Sequence, residues 1–180
     1  MKNKNFTVGS CQINDIIIYF IGTKTKFVHL SFARSHHDQA LRQLVLSGAT
    51  IYNSLKQETW PFCQEFEEYI RGCRQVFSVR INPLFLDQAT PFQQRVWQLI
   101  KLIPYGETRT YGELAKKLGN RHYARAVGQA CGANSLALLI PCHRVVGSNN
   151  NPGGFNGGEH IKAKLLEIEK NHLSFIKPYQ

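Results

Sequence analysis

The stretch Thr110–Gly132 reads TYGELAKKLGNRHYARAVGQACG and is the most informative part of this 180-residue chain about its fold. Thr110 and Glu113 have the spacing of a capping box, in which each side chain bonds the other residue's backbone amide at a helix start. Gly119 marks the end of that short helix, and a second helix is predicted from about residue 122 to residue 132. Two short helices joined by a glycine turn are typical of a helix-turn-helix.

The second of these helices is unusually smooth. Arg125 is its one long cationic side chain, and glycine, a poor helix former, occurs in it twice. One interpretation is close packing against another helix. The other is contact with a nucleic-acid groove, with Arg125 reaching inside. The small residues that produce this surface are Ala124, Ala126, Gly128, Ala130 and Gly132.

The rest of the second half also favours helices. Thr90 and Pro91 form an N-cap followed by a proline at the first helical position, and apolar residues line one face of the helix that follows. A C-terminal helix is predicted for Glu159–Lys170, and the apolar run Leu136–Ile140 is typical of a buried strand. We therefore expect residues 87–180 to form a mainly helical domain that contains the helix-turn-helix.

The first half mixes strands with short helices. Two runs of β-branched and aromatic residues, separated by a polar turn, predict a hairpin. Two helices are expected, each stopped by a glycine, and an alternating segment after them is predicted to be a strand. The fold class is therefore α/β (α+β), with a small sheet and flanking helices in residues 1–86. The predicted elements are the strands Ile16–Ile21, Phe27–Phe32 and Val76–Ile81, a helix opened by Ser35 and stopped by Gly48, a helix ended by Gly72, and a linker at Pro83–Thr90.

The chemical centre follows the apolar run and reads PCHRVV over residues 141–146. A cysteine at the end of a buried strand, with imidazole and guanidinium neighbours, is placed to have its thiolate form favoured. Cys142 and His143 are adjacent, so the ring is expected to reach the sulfur through a water molecule or after a turn of the backbone. Glu169 on the predicted C-terminal helix could orient that ring and complete a Cys–His–Glu relay. A lone Cys–His pair is more often structural than catalytic.

Composition and charge indicate the kind of partner and the cellular compartment to expect. The chain carries 22 Lys and Arg against 12 Asp and Glu, a net charge of +10. Residues 1–90 hold +3 of this charge and residues 91–180 hold +7, so an anionic partner is expected at the second half. No apolar run near the start approaches the roughly 20 residues that span a bilayer. We expect a cytoplasmic protein, nuclear if eukaryotic, whose five cysteines are free thiols.

Four motifs together carry a resemblance to a known family. They are TPFQQRVW from Thr90, YGETRTYGELA from Tyr105, RAVG from Arg125, and the cysteine hexapeptide from Pro141. In this combination the chain resembles the O6-alkylguanine-DNA alkyltransferases, also called methylated-DNA–protein-cysteine methyltransferases. The resemblance covers about residues 65–170, while the N-terminal strands match only in general character.

The resemblance implies a function and a role for individual residues. Cys142 would accept the alkyl group from O6-alkylguanine, and by extension O4-alkylthymine, in a single turnover, since a thioether has no easy hydrolytic exit. The target base is hidden in the duplex and must be flipped out, with Arg125 filling the vacated stack in the minor groove. His143 and Glu169 would remove the thiol proton. Further implied contacts are Asn134 bracing the cysteine loop, Tyr111 at the target phosphate and base, the Val145 carbonyl at the guanine amino group, Lys162 at the substrate, and Ala124, Ala126, Val127 and Gly128 against DNA.

One departure from the family pattern falls in the glycine-rich loop. The family usually has a tyrosine and then a serine, where this chain has Phe155 and Asn156. Phe155 can stack on the base but has no hydroxyl for the leaving guanine, and Asn156 could supply the donor instead. Losing one donor to a developing charge costs about 2–4 kcal/mol of barrier if nothing replaces it.

Three rival functions have distinct signatures. A binding-only relative that flags alkylguanine lacks the acceptor cysteine. A sequence-reading transcription factor needs long polar side chains on its reading helix, where this chain has alanine and glycine. A Cys–His hydrolase would turn over repeatedly on a small substrate. We expect a monomer that binds double-stranded DNA but no membrane. We expect no organic cofactor, and no metal either, because no ligand pair with tetrahedral zinc spacing is present.

Overall fold

The computed structural model describes residues 5–53, 60–148 and 153–173. Its fold is mixed, with a small sheet in the first half and mainly helices in the second. The strands are β1 (Asn5–Ile13), β2 (Ile16–Gly22), β3 (Lys26–Ser31), β4 (Thr50–Asn53), β5 (Arg80–Ile81), β6 (Arg109–Thr110) and β7 (Val145–Val146). The α-helices are α1 (Arg34–Leu46), α2 (Pro61–Ile70), α3 (Pro83–Asp87), α4 (Pro91–Lys101), α5 (Tyr111–Lys117), α6 (Ala124–Gly132) and α7 (Glu159–Leu173), and short 3₁₀ turns occur at Arg121–Tyr123 and Cys142–Arg144.

The first five strands form one sheet in the order β4-β1-β2-β3-β5. The strands β1, β2 and β3 are antiparallel neighbours, and β4 and β5 add to the two edges in parallel. The predicted hairpin of β2 and β3 is therefore confirmed. Because side chains alternate across a strand, each face of the sheet buries a different set of residues. Phe6, Ile21 and Val28 pack beneath α1, while Phe20 and Phe27 belong to the larger core shared with α2 and the second half.

The helix-turn-helix has the structure that its sequence predicts. Thr110 and Glu113 form a reciprocal capping box at the start of α5, and Thr90 and Gln93 form another at the start of α4. Gly119 has φ +97, a left-handed conformation that favours glycine and turns the chain toward α6. The buried side of α6 packs on α4, where the Trp97 indole donates to the Ala130 carbonyl at 2.8 Å.

Four sequence expectations for local structure are wrong. Of Val76–Ile81 only Arg80 and Ile81 pair with β3, since the Glu65 carboxylate holds Ser78 in an irregular turn and Val76 is 74% exposed. The linker Pro83–Thr90 contains α3, which Asn82 caps. Helix α1 begins at Arg34 and has no side-chain cap, so Ser35 does not open it. The run Leu136–Ile140 makes only a single bridge to β3, because the Asn134 side chain bonds Leu136 and Ile140 and folds the segment into a turn.

The expectation of five free thiols is also wrong. Cys11 on β1 and Cys63 on α2 form a disulfide although they lie 52 residues apart, a separation that no local spacing rule could detect. Cys73, Cys131 and Cys142 are free. Within residues 5–53, 60–148 and 153–173, no cluster of three His, Cys, Asp or Glu side chains could hold a metal ion. No helix in these ranges is long and apolar enough to cross a bilayer.

Candidate active site

Cys142 opens a 3₁₀ turn immediately after Pro141 and belongs to the main hydrophobic core, which both halves of the chain share. It does not end a strand, as the apolar run suggested, but it is buried, with 4% of its surface exposed. The Asn134 amide Nδ2 donates to its sulfur at 3.2 Å and to the Ile140 carbonyl at 2.8 Å. The same side chain accepts from the Leu136 amide at 3.0 Å. Asn134 therefore holds both the loop before the cysteine and the cysteine itself.

The predicted pair of His143 and Glu169 is brought into contact by α7. The imidazole Nε2 lies 2.8 Å from Oε1 of the carboxylate, and both side chains are fully buried. The other ring nitrogen, Nδ1, has no hydrogen-bond partner in the described part of the chain. With Nε2–H donating to the carboxylate, Nδ1 carries the lone pair and can accept a proton.

Three groups around Glu169 were missed in the sequence. The Tyr69 hydroxyl donates to Oε1 at 2.5 Å, and the Gly106 amide donates to Oε2 at 2.9 Å. The Arg144 guanidinium donates through Nε and Nη2 to the same carboxylate at 2.9–3.1 Å, and through Nη1 to the Ile103 carbonyl at 2.8 Å. Tyr69 lies in an apolar helical stripe, so its sequence position indicates only core packing.

The groups bonded to Glu169 determine the charge of both Glu169 and His143. Burial alone would raise the pKa of Glu169, but the hydrogen bonds and charges of His143 and Arg144 outweigh it and lower the pKa to about 2. Burial lowers the pKa of His143 below its ordinary value, although Glu169 opposes this shift. The ring is therefore neutral and the carboxylate ionised near neutral pH. A neutral imidazole backed by a carboxylate is the arrangement that general-base chemistry needs.

The electrostatics of the thiol differ from the sequence expectation. Burial raises the pKa of Cys142, while the Asn134 hydrogen bond and the nearby Lys162 ammonium oppose the rise without cancelling it. The thiolate is thus not favoured at rest, because the cost of burying its charge outweighs the effects of Asn134 and Lys162. The sulfur needs a base to remove its proton.

Lys162 and Val127 lie inside the protein and not on its surface. Lys162 is fully buried, and its ammonium donates to the Val145 carbonyl at 2.6 Å. It therefore holds the carbonyl that was expected to bind a guanine amino group. Val127 is also fully buried, so its side chain has no surface to offer to DNA. On the same helix Arg125 is exposed, and Ala124, Ala126 and Gly128 are partly exposed.

Tyr111 lies near Cys142, and Phe155 of the glycine-rich loop lies against His143. Tyr111, at the start of α5, is close to both Cys131 and Cys142, and burial raises its pKa to about 12. Gly153 has φ +63, and a Cβ there would lie 2.8 Å from the Tyr111 hydroxyl, so a larger residue would not fit. The Phe155 ring contacts the rings of His143 and Phe32, with centroids 6.2 Å and 5.9 Å away.

Asn156, the second unusual residue of this loop, is bonded to the first half of the chain. Its Oδ1 accepts from the Ser31 hydroxyl at 2.6 Å and lies 2.9 Å from Nδ1 of His36. Ser31 ends β3 and His36 is in the first turn of α1. No spacing rule links these positions, because they are about 120 residues from Asn156 in the chain.

The site combines a buried cysteine and a histidine–glutamate pair with a neighbouring helix-turn-helix. This combination defines a class of protein with a cysteine nucleophile and a nucleic-acid-binding motif. Residues 91–171 match the family described as 6-O-methylguanine DNA methyltransferase, DNA binding domain. A constitutive methylated-DNA–protein-cysteine methyltransferase of Bacillus subtilis is 42% identical over 125 residues, which are 67% of this chain and 73% of that protein. The chain belongs to the family of methylated-DNA–protein-cysteine methyltransferases.

Solved structures extend the similarity to the N-terminal half. The Mycobacterium tuberculosis O6-methylguanine methyltransferase is 29% identical, with a TM-score of 0.71 over 96% of this chain and 99% of that chain. The M. tuberculosis protein in complex with DNA is 30% identical, with a TM-score of 0.69 over 93% and 94%. A further relative by sequence is the methylated-DNA–protein-cysteine methyltransferase of Methanosarcina acetivorans. It is 45% identical over 106 residues, and the chain covers 65% of its length.

Proposed function

We propose that this protein repairs DNA by moving the alkyl group of O6-alkylguanine to the sulfur of Cys142. The observation that carries the proposal is the buried Cys142 held by Asn134, with the neutral His143 backed by an ionised Glu169. Membership of the family and the complex of the M. tuberculosis relative with DNA support it.

The proposed step needs one proton transfer and one substitution. Nδ1 of His143 accepts the thiol proton, through a water molecule, and the resulting imidazolium is stabilised by the Glu169 carboxylate. The sulfur then forms a bond to the alkyl carbon as the bond from that carbon to O6 breaks. The electron pair of the broken bond stays on guanine, which takes up a proton and becomes an ordinary base. Cys142 is left as a thioether with no hydrolytic exit, so each molecule acts once.

We propose that α6 meets double-stranded DNA in the minor groove. A Cβ on Gly132 would meet nothing within 4 Å, and one on Gly128 would make only an ordinary contact with Tyr111. Packing within the protein therefore does not require either glycine, which favours the groove interpretation. The exposed Arg125 would fill the stack when the base is flipped out, and the basic second half would hold the phosphates.

Asn156 is proposed as the donor to O6 of the leaving guanine. Ser31 and His36 both face its Oδ1, and this fixes the orientation of the amide with its NH₂ group on the other side. An amide NH₂ can donate to an oxygen that gains negative charge. Phe155 keeps the stacking role of the usual tyrosine. In this chain the first half would thus shape the loop that receives the base.

Other details stay predictions. These are the activity on O4-alkylthymine, the monomeric state, the location in the cytoplasm, the lack of a cofactor and the division of the chain at residues 86 and 87. A hydrolase with the same Cys–His–Glu geometry is the main rival, since it needs the same proton transfer. It would release its product and act repeatedly.

Intact mass spectrometry separates these possibilities. The protein is incubated with a molar excess of duplex DNA that contains O6-methylguanine, and the mass gain is localised by peptide mapping. We expect one methylene on the peptide with Cys142, saturating at one per protein, and none in Cys142→Ser. Cys131→Ser is the matched control, because Cys131 is also buried and free, and it should still be methylated. Repeated turnover, or methylation spread over several cysteines, would contradict the proposal.

A further inference from the structure

The hydroxyl of Tyr69 brings a group from the first half of the chain into contact with both His143 and Glu169. Its oxygen lies 2.5 Å from Oε1 of Glu169 and 3.3 Å from Nε2 of His143. Tyr69 is near the end of α2, only 1% of its surface is exposed, and it lies 100 residues before Glu169 in the chain. The alkyl transfer described above gives this hydroxyl no role.

The proton of the Tyr69 hydroxyl points to Glu169 and not to His143. The carboxylate is ionised and accepts only, and a hydrogen bond to a charged acceptor is the stronger one. The distance to Oε1 is also the shorter of the two. Burial and the neighbouring carboxylate raise the pKa of Tyr69 well above its ordinary value, so the hydroxyl keeps its proton. A tyrosine has one such proton, and the side of its oxygen that faces His143 therefore carries lone pairs.

Nε2 of His143 consequently faces two acceptors and no donor from this pair of side chains. They are Oε1 of Glu169 at 2.8 Å and the Tyr69 oxygen at 3.3 Å. With the ring proton on Nε2, both oxygens are satisfied and Nδ1 carries the lone pair. With the proton on Nδ1, lone pairs would face lone pairs at a fully buried position, which is costly. Tyr69 thus favours the tautomer that a general base needs.

The same hydroxyl restrains the carboxylate that backs the ring. Oε1 accepts from Tyr69, from His143 and from Nε and Nη2 of Arg144 at 3.1 and 2.9 Å. Tyr69 is the closest of these donors. Without it, the fork of Arg144 would be free to draw Oε1 away from the imidazole, and the orientation of the ring would be less well defined.

We propose that Tyr69 is a positioning residue of the alkyl transfer, whose hydroxyl holds Oε1 of Glu169 against Nε2 of His143 and so presents Nδ1 to the Cys142 thiol. Tyr69 keeps its own proton throughout, and the thiol proton ends on Nδ1. The inference rests on the proposed function, because it assigns Tyr69 a part in that reaction. The first half of the chain thereby completes the base of the second half.

Tyr69→Phe tests the proposal, because it removes the hydroxyl and keeps the ring. Tyr105→Phe is the matched control. Tyr105 is also buried, its ring packs edge-on against that of Tyr69 at 5.9 Å, and its hydroxyl has no hydrogen-bond partner within the described residues. With saturating duplex that contains O6-methylguanine at pH 7, we expect a single-turnover rate about tenfold lower in Tyr69→Phe and changed by less than about twofold in Tyr105→Phe. The affinity for DNA should stay within about twofold in both, since neither ring reaches the surface.

The pH dependence separates positioning from a general structural defect. A structural defect lowers the rate by the same factor at every pH. A misplaced base has less effect as the pH rises, because the Cys142 thiolate then forms without help from His143. The rate of Tyr69→Phe should therefore approach that of the original protein between pH 7 and pH 9. The other titratable or charged groups around this pair are the same in both proteins and cancel in the ratio of the rates, namely Arg144, Tyr105, Lys162, Tyr111 and Cys131.

A spectroscopic measurement needs no substrate. In unreacted protein labelled with ¹⁵N in its histidine rings, we expect His143 to carry its proton on Nε2. The Nε2 signal should shift in Tyr69→Phe and stay in place in Tyr105→Phe. A proton on Nδ1 in the original protein would overturn the proposal even if Tyr69→Phe did not fold. Equal rate losses in the two variants, or a ratio of rates that does not change with pH, would overturn it as well. Failure of the original protein to take up an alkyl group would refute the proposed function, whereas the ring signals would still decide whether Tyr69 fixes the proton.

Discussion

The hydroxyl of Ser31 donates to the side-chain oxygen of Asn156 at 2.6 Å, across 125 residues of sequence. Ser31 is fully buried at the end of β3, and Asn156 follows Phe155, whose ring contacts that of His143. The N-terminal sheet thus reaches directly into the candidate active site, which gives this half of the protein a testable role.

Replacing Ser31 with alanine should slow alkyl transfer more than it weakens DNA binding. The change removes the hydrogen bond to Asn156, worth about 1 kcal/mol, together with the two contacts of the hydroxyl with the Ala33 backbone. A single-turnover rate about fivefold lower is therefore expected. The affinity for duplex DNA, measured by fluorescence anisotropy, should stay within a factor of two because α6 is untouched. Ser35→Ala, at an exposed site on α1, is the control and should change neither quantity. An unchanged rate in Ser31→Ala would show that the orientation of Asn156 does not matter.

The hydrogen bonds and ion pair at Glu169 should stabilise the protein by different amounts, so variants that remove them should differ in their free energy of unfolding. Tyr69→Phe removes one hydrogen bond to a charged group and should lower the free energy of unfolding by about 1.5–3 kcal/mol. Glu169→Gln leaves the Arg144 charge without its partner and should cost about 3–5 kcal/mol. Urea denaturation measures both values. If Glu169→Gln were the milder change, the ion pair would not be the main stabilising contact of the cluster.

The pH dependence of the rate tests the role of His143. Its pKa lies below the ordinary value near 6.5, so the ring stays a neutral base as the pH falls through 6.5, and the rate should decline only at lower pH. Single-turnover rates from pH 5 to 9 would show this plateau. If instead Cys142 reacted without a base, its raised pKa would make the rate climb about tenfold per pH unit through pH 8.

Arg125→Ala should separate base flipping from chemistry. The guanidinium is exposed whereas the Cys142 sulfur is buried, so reaction with free O6-benzylguanine should change by less than about twofold. Repair of O6-methylguanine in a duplex should fall at least about tenfold, because stacking energy lost on flipping is no longer replaced. Quenched-flow assays on both substrates measure the two effects. Equal losses on the two substrates would exclude a flipping role.

His29 predicts that the protein loses stability in mild acid. The unfolded chain protonates this ring near pH 6.5, whereas the native protein does so only near pH 3. Since the unfolded state binds more protons between these values, the free energy of unfolding falls as the pH drops from 6.5 toward 3. Urea denaturation at several pH values should show a shallower fall in His29→Phe than in the original protein. His160→Gln, at an exposed position, should keep the original pH dependence.

Local patterns in the sequence predicted the elements whose signals lie within a few residues. The capping box of Thr110 and Glu113, the turn at Gly119 and the cap at Thr90 are all present as expected. The segment Leu136–Ile140 was predicted wrongly because its conformation depends on the Asn134 side chain, and burial alone does not distinguish a strand from a buried turn.

By itself the sequence indicated the candidate nucleophile, the histidine beside it and the helix-turn-helix, because caps, glycine turns and short motifs act over one or two turns of chain. Only the tertiary structure decided what surrounds them. Tyr69 and Arg144 meet at Glu169, Ser31 meets Asn156, and Cys11 meets Cys63, all through contacts between residues far apart in sequence. Burial then determined the ionisation of Cys142, because the free energy of a charge depends on the atoms around it and not on its neighbours in the chain.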